Sequence, residues 1–223
     1  MPEIDLKRLL NEPIYAFDFQ FMIGDIEDFL DYSESNIEWQ YKREIQSILH
    51  KAEAEDLPQG CKEHLETNAE HRFKISLPLR VRYGALLSLT ISVEWSVGYL
   101  VEKLVEPLKK NQKEKNFTVH ALFELDKRAG IGATDTIQDY EALAHVRNCI
   151  AHNAGIEKYD KYHDQLITAV DRLSGFSLGN WHYFGKHIYI DREALNPYIK
   201  NMGNYIVQLH KSVHEKGLLQ ENT

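Results

Sequence analysis

Only two of the 223 residues are cysteine, Cys61 and Cys149. So few thiols exclude a disulfide framework and suit a reducing cytoplasm. No run of 18 apolar residues occurs, so no membrane span is expected. The stretch Met1 to Lys7 lacks the basic-then-apolar order of a secretory leader, and a cytoplasmic location is expected. Positive charge is outnumbered, 26 Lys and Arg against 34 Asp and Glu, for a formal net charge of -8. That balance argues against indiscriminate binding of nucleic acid, which needs a broad positive field. Any anion site must therefore carry its positive charge locally. Internal repeats, low-complexity segments and an evident linker are all missing, so one domain over residues 1–223 is the simplest expectation.

What is present is ordinary for a soluble globular chain: 43% hydrophobic and 27% charged residues. At this length roughly 70 to 75% of the unfolded surface can be buried, enough for a core without staples.

Helical spacing dominates. Residues 13–54 read as one long helix or two, with Phe21, Ile26, Phe29, Leu30, Ile37, Tyr41, Ile45 and Ile48 recurring at three- and four-residue intervals; the Ser33 to Asn36 stretch could break the run. Asp25, Glu27, Asp28 and Asp31 read as a solvated helix face. The segment Asp56 to Gly60 is a turn, a short helix can follow, and Pro78 reads as a fresh helix start. Residues 79–108 form the clearest helix. One stripe is Leu79, Tyr83, Leu86, Thr90, Val93, Val97, Leu100 and Leu104; a second is Leu87, Ile91, Glu94, Gly98, Val101 and Val105. Two adjacent apolar stripes imply burial of about half the circumference. Glu94 lies in the second; if buried it needs a partner, for which Arg147 is a candidate, and a border position suits it equally.

Lys109, Lys110, Lys113 and Lys115 follow as a polar linker that complements the helix dipole. Thr118 can cap a short helix, and Arg128 to Ala133 is a connector. Asp135 and Gln138 suggest a capping box for the next helix, which should end near Asn153 to Gly155. Leu166, Ile167, Val170 and Leu173 mark another helix. Alternation from Phe176 to Ile190 indicates a hairpin, and a last helix spans about 192–214. The expected fold is mainly α, an up-and-down helical bundle with a small β-hairpin before the C-terminal helix.

The chemistry concentrates in Arg147-Asn148-Cys149-Ile150-Ala151-His152-Asn153. A guanidinium can grip a phosphate with two parallel hydrogen bonds. An imidazole can move a proton near neutral pH, and an amide can orient its neighbours. Asn148 and His152 are four apart and share a helix face, whereas Arg147 and His152 are about 140° apart around the axis. Arg147 must therefore reach around the helix or use a second copy of the site, and a two-fold dimer would set two copies face to face. His152 also sits at a helix C-terminus, where the dipole favours a cation.

Arg147-Asn148 followed by three residues and His152 resembles the Arg-x(4–6)-His signature of the HEPN superfamily, in its Arg-Asn-x-x-x-His form. The resemblance covers roughly residues 78–173, with residues 1–75 as a helical N-terminal extension. It implies a dimeric helical bundle with two Arg-His sites in one cleft. It also implies metal-independent endoribonuclease activity without a cofactor, as in toxin–antitoxin or phage-defence systems, with RNA and an antitoxin or other regulatory protein as partners. By that resemblance Arg147, Asn148 and His152 are the catalytic residues, supported by Glu94 and Asn153. Lys158 and Lys161, just after the motif, are candidate RNA contacts. One departure is Ala154, where some HEPN toxins carry a tyrosine that a partner enzyme modifies; Tyr159 and Tyr162 lie nearby.

Two rivals remain open. His145, Cys149 and His152 share a face as a metal set would, but seven residues of helix rise about 10.5 Å, too far for one ion. A non-catalytic dimerisation or ligand-binding module is the other, with Arg147 paired to an acid and His152 capping its helix. The aromatic group Trp181, Tyr183 and Phe184 could stack on bases, or pack between helices or at a dimer contact.

Overall fold

A computed structural model describes residues 14–108, 116–180 and 185–220. The four linker lysines and Trp181, Tyr183 and Phe184 lie outside the described residues. Within them are six helices and one antiparallel hairpin. The helices are α1 (Ile14–Ala54), α2 (Gln59–Lys103), α3 (Phe117–Ala129), α4 (Thr134–Asn153), α5 (His163–Arg172) and α6 (Asn196–Glu215). The strands β1 (Phe176–Asn180) and β2 (Lys186–Ile190) precede α6, with Phe176 opposite Ile190 and Asn180 opposite Lys186. The molecule is thus a mainly helical bundle with a hairpin before its last helix. It divides into two compact units: residues 27–85, and residues 1–26 together with 86–223.

The smaller unit pairs the second half of α1 with the first half of α2. Ile48, Ala69 and Phe73 form its buried centre, with Ile37, Tyr41, Ile45, Leu65 and Leu77 packed around them. α1 runs unbroken through Ser33 to Asn36. Glu34 is mostly buried there and receives the Arg82 Nε at 2.5 Å, which compensates a buried carboxylate within that stretch. Phe21 and Phe29, placed on the inner stripe by spacing alone, are exposed, while Phe19, Ile23, Ile26 and Leu30 are buried. Asp25, Asp28 and Asp31 are solvated, as the charge pattern suggests.

Pro78 does not restart a helix. The chain is continuous from Gln59 to Lys103, and a π-helical turn, His71–Ser76, lies just before the proline. A proline ring collides with the carbonyl four residues earlier and offers no N–H. The wider turn relieves that collision, so the helix passes through. By length and composition alone α2 is long and apolar enough to cross a membrane, its most apolar window having a mean hydropathy of 1.4; that window is half buried within the protein, as the core helix of a helical domain also is.

In the larger unit, one stripe of α2 is buried as expected, Leu86, Thr90, Val93, Val97 and Leu100, and Leu104 just past its end is buried too. The second stripe is not. Ile91 is 57% and Val105 55% exposed, and neighbouring Trp95 is 51% exposed. α2 also stops at Lys103 rather than near 108, because the segment after α6 takes its backbone: Val105 donates to the Leu218 carbonyl and Gln220 to that of Lys103. α4 packs against α3, α5 and α6. α6 carries Ile199, Met202, Ile206 and Leu209 inward, with Leu195 buried just ahead of it.

Candidate functional site

α4 carries the whole motif, and both its ends are held from outside. At its start the expected capping box is not formed: Ala133 occupies the cap position without a side-chain hydrogen bond. Asp126, buried on α3, does this work by accepting the Gly132 and Ala133 amides at 3.0 and 3.1 Å. Similarly, Asn116 rather than Thr118 stands at the cap position of α3. At the other end Ala154 adopts φ 53°, ψ 28°, and the Ala154 and Gly155 amides both reach the Cys149 carbonyl. This is the left-handed terminus that the Asn-Ala-Gly sequence suggests, with alanine taking a conformation in which glycine is unstrained. Beyond it, Ile156 bridges to His187 of β2, and the Ile188 amide donates to the Gly155 carbonyl at 3.0 Å. The motif terminus is therefore tied to the hairpin.

Arg147 points toward α2 and forms an ion pair with Glu94. The guanidinium is 19% exposed and the carboxylate 39%, so Glu94 is both a border residue and the partner that its place in an apolar stripe requires. Burial pushes the guanidinium below its ordinary value, against the attraction of its neighbour; arginine nevertheless stays protonated. The Arg147 Nε is buried with no hydrogen-bond partner among the described residues. A buried donor left unmade is costly.

A cavity of about 290 Å³ opens beside the ion pair, walled by Glu94, Arg147 and Asn148 together with Asn116, His145, Tyr162 and Gln165. The exposed Asn148 amide thus lies next to the guanidinium. His152 does not line this cavity; it is exposed one turn further along α4. Asn148 and His152 follow the same side of the helix, and no hydrogen bond joins His152 to Arg147 or Asn148 among the described residues. One chain brings Arg147, Asn148 and Glu94 together and leaves the His152 imidazole outside.

The remaining candidates fall nearby in different roles. The Asn153 amide donates to Asp160 at 3.3 Å and braces the loop after α4. Lys158 lays its ammonium over the Tyr159 ring at 4.9 Å, and Lys161 over Tyr162 at 5.7 Å. Since Tyr162 lines the cavity, Lys161 is the nearer basic residue of the two by ring contact. Cys149 is fully buried, and desolvation together with Asp160 pushes its thiol up to about 12, which leaves it inert. Among the described residues no group of three or more His, Cys, Asp and Glu side chains is placed to hold a metal ion.

His145, which the sequence offers only as a member of a metal set, lines the Arg147 cavity. Its spacing of three from Asn148 was the available signal. Asn116, Tyr162 and Gln165 reach the cavity from other elements, and spacing along the chain gives no sign of that. Chemically, the arrangement offers a guanidinium paired with a carboxylate, an adjacent amide and a hydroxyl-bearing ring around a space that fits a phosphoryl group.

The chain matches no family model, no characterised protein and no solved structure.

Proposed function

We propose that the protein is a metal-independent endoribonuclease of the HEPN type, cleaving RNA to 2′,3′-cyclic phosphate ends. The observation that carries this reading is the partly buried Arg147, paired with Glu94, beside Asn148 on an open cavity. In the reaction the ribose 2′-oxygen attacks the adjacent phosphorus and loses its proton to a base. The bond to the 5′-oxygen breaks, and that oxygen leaves with a proton from an acid. Arg147 stabilises the charged phosphorane, Asn148 orients the phosphate or His152, and His152 moves a proton or adds positive charge. Arginine and imidazole supply charge and proton transfer themselves, so no cofactor is required.

His152 stands outside the Arg147 cavity of its own chain, so this reading includes a homodimer whose second copy completes the cleft. The exposed Ile91 and Trp95 on either side of Glu94 support it, because clustered apolar exposure marks interaction surfaces. RNA is the substrate, and an antitoxin or other regulatory protein in a toxin–antitoxin or defence system is part of the same reading, with a cytoplasmic location.

The second reading is a non-catalytic dimerisation or ligand-binding module. The Glu94–Arg147 ion pair favours it, since it neutralises the charge a phosphate would meet. A mixed RNA pool incubated with EDTA separates the two. Cleavage by the wild type, with cyclic-phosphate ends, and none by Arg147→Ala or His152→Ala supports the nuclease. Intact RNA with a folded dimer supports the module.

A further inference from the structure

A second, larger cavity of about 540 Å³ lies along the groove between α4 and α5. It shares His145 and Gln165 with the Arg147 cavity, so the two adjoin. We propose that this groove is a nucleobase subsite, taking the amino-bearing base of a nucleotide whose phosphate meets Arg147. The inference rests on the nuclease reading for the phosphate end and adds to it a chemical preference for the base.

The wall chemistry selects the ligand class. The groove has no large aliphatic side chain; its apolar floor is Ala142 and Ala169. Two such small residues leave a flat surface on which a planar ring can lie. The sides carry Gln138 and Gln165, whose amides both donate and accept, and Thr168, whose hydroxyl donates to the Asp164 carbonyl at 2.9 Å and can still accept. An apolar ligand would leave the two amides unpaired, at a cost.

Charge then orients it. Glu141 and Asp164 also line the groove, and they repel an anion. The only arginine there, Arg172, is already held by Asp139 at 2.8 Å and by the Asp135 carbonyl at 3.3 Å. An anionic end is therefore excluded from the groove and directed to Arg147, while an uncharged end is accepted. Carboxylates accept from exocyclic amino groups, as in pairing with the cytosine N4 amine. Cytosine, adenine and guanine carry such a group; uracil does not.

Dimensions agree. Glu141, His145 and Asn148 follow one face of α4, and Glu141 and Asn148 are separated by about 10.5 Å of helix rise. That is comparable to one mononucleotide from base edge to phosphate. His145 sits between them, at the sugar.

The test uses isotope-labelled full-length protein titrated with the four ribonucleoside 3′-monophosphates and with inorganic phosphate, followed by nuclear magnetic resonance. The expected result is that the cytidine, adenosine and guanosine compounds shift Gln138, Gln165 and Thr168 signals as well as those of Arg147 and Asn148. They should bind about ten-fold tighter than the uridine compound or phosphate, the scale of one lost base contact. Thr168 is exposed, so Thr168→Trp plugs the groove without touching the core and should erase that discrimination while leaving phosphate binding intact. Glu141→Ala should reduce it. Equal binding of all four, or discrimination unchanged in Thr168→Trp, overturns the subsite while phosphate shifts at Arg147 keep the nuclease reading alive. Base discrimination without any RNA cleavage supports the groove and ends the nuclease reading. No shift from any compound overturns both.

Discussion

Arg147 on α4 and Glu94 on α2 form an ion pair in which the cation is largely buried and the anion is half in water. The two partners are thus not equally committed. The carboxylate can turn to solvent, whereas the guanidinium needs a replacement acceptor before it can release its partner. A phosphate entering the adjoining cavity is such a replacement.

Glu94→Gln should therefore raise phosphate affinity several-fold, since the guanidinium no longer has a competing anion. The same change should lower stability by about 1 kcal/mol, the net worth of an ordinary hydrogen bond. Phosphate titration by calorimetry and urea unfolding measure the two effects. Unchanged or weaker phosphate binding would show that Glu94 helps to position the guanidinium instead of competing for it.

Acid should weaken the fold through His210. Its ring is buried on α6, hydrogen-bonded to Ser96 at 2.7 Å and stacked at 6.5 Å on Tyr99. Desolvation pushes it down to about 4. An unfolded histidine titrates near 6.5, so the unfolded state binds the extra proton first. The stabilisation is whole above pH 6.5 and is lost as pH falls from 6.5 toward 4, on the order of 3 kcal/mol in total. Urea unfolding of wild type and His210→Gln at pH 7.5, 5.5 and 4.5 tests this; parallel pH dependences for the two proteins would refute it.

Ala154→Gly should stabilise the protein. The left-handed conformation at the end of α4 costs a residue with a side chain roughly 1–2 kcal/mol, part of which glycine returns through its freer unfolded state. A gain of about 0.5–1 kcal/mol, read as a higher Tm, is expected. A lower Tm would mean that the alanine methyl makes packing contacts worth more than the strain.

Ile91→Glu on the exposed stripe of α2 should convert a dimer to monomer and abolish RNA cleavage while leaving the Tm of the monomer little changed. Light scattering at several concentrations reads the first effect, and the cleavage assay the second. A cleavage-competent monomer would place the whole active site within one chain.

What was legible in the sequence was whatever depends on neighbours along one element. The buried stripe of α2 follows from three- and four-residue spacing of Leu86, Val93, Val97 and Leu100. The α4 terminus follows from the preference of Asn and Gly for left-handed backbone, and the hairpin from alternation around β2. Glu94 was legible as a carboxylate in need of a partner because its place in an apolar stripe is chemically costly. The π turn before Pro78 was not, since His71 to Ser76 has no composition that marks a wider helix. Nor was the role of Asp126, which reaches across a loop to cap α4. The second stripe of α2 looks the same whether another helix or solvent covers it, so spacing alone did not reveal Ile91 and Val105 as exposed. The cavity depends on Asn116, Tyr162 and Gln165 arriving from separate elements, and linear spacing carries no such distances.

The backbone link between Gly155 and Ile188 makes the motif terminus part of a small β-structure as well as a helix. Helix ends ordinarily fray, but this one can loosen only if the hairpin loosens with it. The peptide groups of His152 and of β2 should thus exchange their hydrogens in step. Damage to a strand more than thirty residues downstream would blur the position of the imidazole without touching it.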